Sequence, residues 1–236
     1  MMSDRAPMDL LLSVIIPCYN EERTIRQVVE RVRAVPLSLE IIVVDDGSTD
    51  GTRGVLAELE DGGVRVLHQP ENRGKGAALA AGFAAARGDV LVVQDADLEY
   101  DPADLPGLLE PIRRGAADVV YGSRFGGRPQ RVHMFWHKVG NRCLTFLTNL
   151  LFNTTLTDME TGYKMFRREV IAGLTLRSRR FDVEPELTAK IFKAKRWRVY
   201  EVPISYYGRS YDEGKKITWR DGAIAMWTLV RYRFWD

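Results

Sequence analysis

Residues 40–52 read EIIVVDDGSTDGT. Glu40–Val44 is a short β-branched run and predicts a buried strand. Asp45-Asp46-Gly47-Ser48-Thr49-Asp50-Gly51 then gives a turn and a helix N-terminus. Val55, Leu56 and Leu59 follow at helical spacing. The same unit recurs on either side. Leu11–Ile16, Val64–Leu67, Val90–Val93 and Val119–Tyr121 read as strands. Ile25, Val28, Val29 and Val32, then Ala77–Ala86, then Leu105–Ile112, read as helices. This alternation predicts an α/β fold whose mostly parallel sheet is flanked by helices. Ligands of such sheets bind beyond the carboxyl ends of the strands.

Composition agrees. The 236 residues are 45% apolar and 28% charged, with 20 glycines and 10 prolines. Disorder, collagen and coiled coil are disfavoured. Lys plus Arg number 34 and Asp plus Glu 32, a net charge of +2. A nucleic-acid binder normally carries a larger basic excess, so no nucleic acid is expected. Cys18 and Cys143 make no disulfide framework and fit a reducing cytosol. No apolar run nears the ~18 residues of a spanning helix. The first 16 residues do not read as a signal peptide. No repeat or linker divides the chain, so 1–236 is read as one domain, with halves 1–122 and 123–236.

Three polar clusters close the strands: Pro17-Cys18-Tyr19-Asn20-Glu21, Asp45–Gly51, and Asp95-Ala96-Asp97-Leu98-Glu99. Two carboxylates spaced two apart just past a strand can share one hard cation with substrate phosphates. Glu99 continues that spacing. An isolated Asp-x-Asp is more often merely solvated, and Asp45–Gly51 alone is a good turn and cap; it is their order, each after its own strand, that is specific. Asn72-Arg73-Gly74-Lys75-Gly76 lacks the spacer and Ser/Thr of a phosphate loop. No G-x-G-x-x-G follows the first strand, which disfavours a nicotinamide oxidoreductase despite an acid at Asp46.

Taken in order, SVIIPCYNE, EIIVVDDGSTDGT, NRGKGAAL, QDADLEYDP, VVYGSRF, LTDMETGYKMF, FDVEPELTAKI and YYGRSYDEGKKITWRDG resemble the family 2 inverting glycosyltransferases, nearest their polyprenyl-phosphate, dolichol-phosphate-mannose-synthase-like subgroup. The resemblance covers nearly the whole chain and implies the GT-A-type nucleotide-binding fold. It implies that Pro17, Tyr19, Glu21 and Asp46 line the base and ribose pocket of a nucleoside-diphosphate sugar, with Lys75, Asp95 and Ala96 close to it. It implies that Asp95, Asp97 and Glu99 hold Mg²⁺ or Mn²⁺ on the diphosphate, Asp97 being catalytic. Relatives acting on phosphate acceptors often carry Gln at the place of Glu99.

Between Asp118 and Asp158 there is no acidic residue. Arg124, Arg128, Arg131, Lys138 and Arg142 lie there with His133 and His137, interleaved with Phe125, Met134, Phe135, Trp136, Leu144, Phe146 and Leu147. One reading is a basic loop and a core-packing helix. The other is a surface for an anionic lipid headgroup. His137 and Asn141 are one helical turn apart and, with Arg124, are candidates for the acceptor phosphate. By resemblance Arg124 belongs to a Gly-Ser-Arg element near the acceptor. A phosphate monoester, with a second pKa of ~6, needs no base to become a nucleophile, whereas a hydroxyl does. Asp158 is the candidate base if one is needed, or else a turn or cap residue.

Gly208–Lys216 reads as a lid whose Arg209 and Lys215 close over the diphosphate, or else as a polar linker. Glu184 and Glu186 are expected to orient that lid or to form helix salt bridges. Phe135–Phe152 and Phe181–Ala194 read as helices, with a strand at Val199–Val202. A C-terminal amphipathic helix, Trp219–Phe234, puts Trp219, Ala223, Trp227, Val230 and Phe234 near one face. Trp227 is assigned to packing, and Phe234 and Trp235 to a membrane interface.

The resemblance implies metal-dependent transfer of a hexose, with mannose favoured and glucose possible, to a polyprenyl or dolichyl phosphate. The enzyme is expected to be cytoplasmic and peripheral at the cytosolic face of a membrane, unless a separate membrane subunit anchors it. A hydroxyl acceptor in polysaccharide or glycolipid synthesis is the alternative. A nucleotide-sugar-binding protein without turnover is a further one, opposed by the intact Asp95-Ala96-Asp97.

Overall fold

A computed structural model describes residues 10–127, 131, 135–208 and 219–235. Its centre is a seven-stranded sheet of order β3-β2-β1-β4-β6-β5-β7. The strands are β1 (Leu12–Cys18), β2 (Leu39–Asp45), β3 (Arg65–His68), β4 (Val90–Val93), β5 (Val119–Ser123), β6 (Lys164–Arg167) and β7 (Val199–Pro203). The helices are α1 (Ile25–Arg33), α2 (Thr52–Asp61), α3 (Lys75–Ala85), α4 (Leu105–Arg113), α5 (Phe135–Phe152), α6 (Arg168–Ala172), α7 (Val183–Lys193) and α8 (Trp219–Phe234).

The expected mostly parallel α/β sheet is what the chain forms. β1 pairs in parallel with β2 and β4, β2 with β3, and β5 with β7. The chain runs outward from β1 to β3 and returns to β4 beside β1. The strand order therefore reverses between β1 and β4, opening a crevice at their carboxyl ends.

Alternating side chains feed two cores, one on each face of the sheet. Leu12, Val14, Ile16 and Val43 meet Ile25, Val28, Val32, Leu56 and Leu105, so α1, α2 and α4 cover one face. Ile15, Ile42 and Val44 meet Leu79, Leu144, Val183, Leu187 and Leu229, so α3, α5, α7 and α8 cover the other. Gly82 lets α3 lie flat on the sheet, since a Cβ there would stand 2.4 Å from Ile15 Cγ2.

Two expectations need correction. Residues 164–167 carry no strand in the sequence reading, yet β6 inserts between β4 and β5, antiparallel to both. It carries the segment 158–163 to the carboxyl end of β4. The C-terminal helix also turns a different face inward. Ala225, Thr228, Leu229 and Tyr232 are buried, while Trp227, assigned to packing, is 61% exposed; Phe234 and Trp235 are exposed, as an interface would need. The face through Leu229 and Tyr232 turns inward because α8 packs against both α5 and α7, where the Tyr232 ring meets the Lys190 ammonium of α7.

Phe166 is fully buried on β6, edge to face with Phe83 of α3. Phe166→Ala is expected to lower unfolding free energy by about 3–5 kcal/mol in a urea titration, the cost of a cavity in a packed core.

Candidate active site

The turn after β1 is laced to the loop after β2. Asn20, in a left-handed conformation (φ 55°), donates its N–H to Ser48 Oγ (3.0 Å) and accepts the Thr49 N–H at Oδ1 (2.8 Å). The Glu21 N–H reaches Thr52 Oγ1 (3.0 Å). Pro17, Tyr19 and Glu21 thus line the end of β1, each half-buried. Asp45 is fully buried among Ser48, Arg53 and His68. Burial opposes its charge, but hydrogen bonds from Ser48, His68 and Arg53 hold its pKa below the usual carboxylate range. Asp46, expected at the ribose, accepts the N–H groups of Arg73 and Gly74, both at 2.8 Å. In this structure it anchors the loop that leads into α3.

That loop delivers Lys75. Gly74 adopts φ 91°, and a Cβ on Gly76 would stand 2.1 Å from the Ser178 carbonyl, so α3 begins in direct backbone contact with 178–179. The Lys75 ammonium lies 2.7 Å from Asp95 Oδ1 and 3.2 Å from Glu184 Oε1. Glu184 Oε2 lies 2.5 Å from the Lys164 ammonium, itself fully buried on β6. Burial penalises the Lys75 charge, and Asp95 and Glu184 overcome that penalty and raise its pKa. Glu184 is lowered by Lys164 and Lys75 in the same way, against its own burial. Glu184 therefore holds these two lysines. Glu186 pairs with Lys190 (2.8 Å, i,i+4) and accepts the N–H groups of Arg177 and Ser178, the helix role anticipated for it.

Asp95, Ala96, Asp97 and Glu99 follow β4 as expected. Gly162 faces Asp95, for a Cβ there would be 2.5 Å from Oδ2. Asp97 Oδ1 accepts the Glu99 N–H (3.1 Å). Glu99 Oε2 accepts the Tyr206 hydroxyl (2.8 Å). Among the described residues no three acids, histidines or cysteines are gathered as a metal-ligand set. Asp95, Asp97 and Glu99, the expected trio, all follow β4 in one loop. The two aspartates, hard oxygen donors at the cleft, fit a cation that takes its other ligands from phosphates.

Across the cleft Arg124 follows β5. Its Nε and Nη2 meet Asp158 Oδ2 and Oδ1 at 2.7 and 2.8 Å. Asn141 Nδ2 reaches the same Oδ1 at 2.9 Å. Asp158 is fully buried. Burial would raise its pKa, but Arg124 and Asn141 lower it. Both carboxylate oxygens are therefore engaged by cation and amide, and Asp158 serves here as an anchor for Arg124. His137 is half-buried on α5, one turn before Asn141. Arg209 and Lys215, like Arg128, His133 and Met134, lie outside the described residues.

The sequence reading missed Lys164, Tyr206 and Glu160. Lys164 opens an apolar strand and gives no local sign of burial. Glu160 Oε1 is buried without a partner. Burial pushes the Glu160 pKa up to about 7; Lys164 lowers it and Glu184 raises it further.

A crevice at a strand-order reversal, an Asp-x-Asp at the end of β4 and an antiparallel strand behind it together define a GT-A-type fold. The description Glycosyl transferase family 2 matches residues 13–174, and the chain belongs to that family. It is 34% identical over 235 residues to the low-salt glycan biosynthesis hexosyltransferase Agl6 of Haloferax volcanii, covering 98% of this chain and 54% of the relative. It is 33% identical to the dolichol-phosphate mannosyltransferase of Pyrococcus furiosus, over 86% of this chain and 58% of the relative. It is 36% identical to the undecaprenyl-phosphate mannosyltransferase of Micrococcus luteus, over 85% of each. The chain thus spans little more than half the length of the first two. Glucosyl-3-phosphoglycerate synthase from Mycobacterium tuberculosis superposes with a TM-score of 0.75 at 23% identity, over 96% of this chain and 82% of that one. The same enzyme in complex with Mg²⁺ and uridine diphosphate gives 0.72 at 25% identity, over 96% and 80%.

The Glu160 carboxyl predicts a pH effect. Its folded pKa lies above the ordinary value of 4.5, so the stability linked to it is complete below that value and lost as pH rises through about 7. Glu160→Gln should flatten the loss of melting temperature between about pH 5 and pH 8, read by thermal denaturation across that range.

Proposed function

We propose that this chain transfers a hexose, mannose favoured and glucose possible, from a nucleoside-diphosphate sugar to a polyprenyl or dolichyl phosphate, with inversion at the anomeric carbon. The observation that carries this reading is the engagement of Asp158 by Arg124 and Asn141. The acceptor side of the cleft thereby presents a fixed cation where a hydroxyl acceptor would want a base. A phosphate monoester, with a second pKa of ~6, is already ionised near neutral pH and needs charge relief more than deprotonation. The relatives named for dolichol phosphate and undecaprenyl phosphate support the same acceptor class.

The residues divide the work. Pro17, Tyr19, Glu21 and Asp46 border the nucleoside. Asp95 and Asp97 would hold Mg²⁺ or Mn²⁺, the ions carried by solved relatives of this fold. When bound, that ion neutralises charge building on the departing nucleoside diphosphate. Lys75 fixes the direction of Asp95 and keeps a positive charge beside the donor. Arg124, His137 and Asn141 are assigned to the acceptor phosphate. Arg209 and Lys215 are assigned to closure over the diphosphate.

Among the described residues no helix is long and apolar enough to cross a membrane. Phe135, Trp136, Phe234 and Trp235 are 60–78% exposed on α5 and at the end of α8. They suit contact with a membrane surface at its cytosolic face, beside a separate membrane subunit or directly. A second reading, a hydroxyl acceptor in polysaccharide or glycolipid synthesis, draws support from Glu160, whose pKa near 7 suits a base.

Incubation with radiolabelled GDP-mannose or UDP-glucose, Mn²⁺ and either polyprenyl phosphate or saccharide acceptors separates the two. Label is expected in the lipid, and Asp97→Ala should lower the rate by about a hundredfold or more. Label found only in saccharide would overturn the phosphate acceptor.

A further inference from the structure

The loop from Asp95 to Tyr100 has to turn sharply, and Leu98 takes the left-handed conformation (φ 63°). A residue with a Cβ adopts that conformation at a cost, so neighbouring structure must hold it there. Residues 206–207 provide that hold. The Tyr207 N–H donates to the Glu99 carbonyl (2.9 Å) and the Tyr206 hydroxyl donates to Glu99 Oε2 (2.8 Å). Tyr206 also bridges to Tyr100 in an antiparallel backbone contact, their rings 5.4 Å apart. The strap therefore grips Glu99 from both main chain and side chain, one residue beyond the strained position and two beyond Asp97.

The same tyrosine touches the other half of the cleft. The Arg124 guanidinium lies over its ring at 5.1 Å, and its carbonyl accepts the Arg131 N–H (3.0 Å). One side chain thus joins the loop bearing Asp97 to the cation held by Asp158.

We infer that Tyr206 is a positioning residue that sets the direction of Asp97 through Glu99. The inference rests on the nucleoside-diphosphate-sugar reading given above. Loss of the Tyr206 hydroxyl releases the Glu99 carboxylate and loosens the turn at Leu98. Asp97 then meets the cation and diphosphate in many orientations where the intact chain offers one. A glutamine at 99 keeps an oxygen that accepts from Tyr206, and an alanine does not.

Isothermal titration of GDP and of UDP into the full chain with saturating Mn²⁺ tests this. Tyr206→Phe and Glu99→Ala are each expected to weaken binding about fivefold, the size of one net hydrogen bond. The double variant should be no weaker than either single one, because both remove the same contact. Glu99→Gln should stay within about twofold of the parent, by retained acceptance from Tyr206. A Tyr206→Phe chain that binds like the parent would overturn the clamp, and a loss of more than tenfold in Glu99→Ala alongside it would assign Glu99 to the cation instead. Circular dichroism checks that each variant is folded; if Tyr206→Phe is not, Tyr206→Leu takes its place with the same expected loss. A parent chain that binds neither diphosphate would refute the donor reading itself, a separate failure from that of the clamp.

Discussion

The Lys75 ammonium, held between Asp95 and Glu184, is the interaction on which the rest of the site depends. A charge this deep, left without partners, would cost several kcal/mol. The start of α3, the end of β4 and the first turn of α7 are therefore obliged to meet. Glu184 passes the obligation on to Lys164 of β6. An alternating row of charges, Asp95, Lys75, Glu184 and Lys164, thus ties the parallel part of the sheet to the antiparallel strand that carries Asp158 and Gly162. Gly74 and Gly76 make the row possible, because side chains there would collide with the 178–179 backbone.

A second ion pair, Arg124 with Asp158, faces the first across the cleft. The two differ in what they leave available. In the first, Asp95 keeps Oδ2 toward the space beside Gly162. In the second, the carboxylate is enclosed and the guanidinium is the partner nearer to solvent, with 15% of its side chain exposed against none for Asp158. One edge of the cleft is thus fitted to cations and the other to anions. The proposed transfer between two phosphorylated substrates calls for that charge arrangement. A net charge of +2 conceals it, since the acids gather at strand ends and none stands between Asp118 and Asp158.

Much of this was legible in the sequence because strand, turn and helix signals are local. The runs at Glu40–Val44 and Val90–Val93, followed at once by acids, placed Asp46, Asp95 and Asp97 at one sheet edge, and the parallel register of β1 with β2 and β4 put them there. What escaped was non-local. Lys-Met-Phe-Arg at 164–167 is too short for its period to declare a strand, and only pairing with residues some 45 and 75 positions earlier makes it one. The inward face of α8 is chosen by α5 and α7, so a stripe of tryptophans on one helix was a poor guide. The use of Asp158 depended on where Arg124 and Asn141 arrive, which no spacing encodes. Glu99, read as a third ligand from its position after Asp97, met Tyr206 from a segment more than 100 residues away.

The proposed activity requires that the crevice between β1 and β4 bind a nucleoside diphosphate through a divalent cation. A thermal-shift screen of nucleoside diphosphates, each with and without Mn²⁺, tests it most directly. A rise in melting temperature that needs both nucleotide and Mn²⁺ is the predicted result. Equal stabilisation without the metal, or stabilisation by a nicotinamide dinucleotide alone, would contradict the claim.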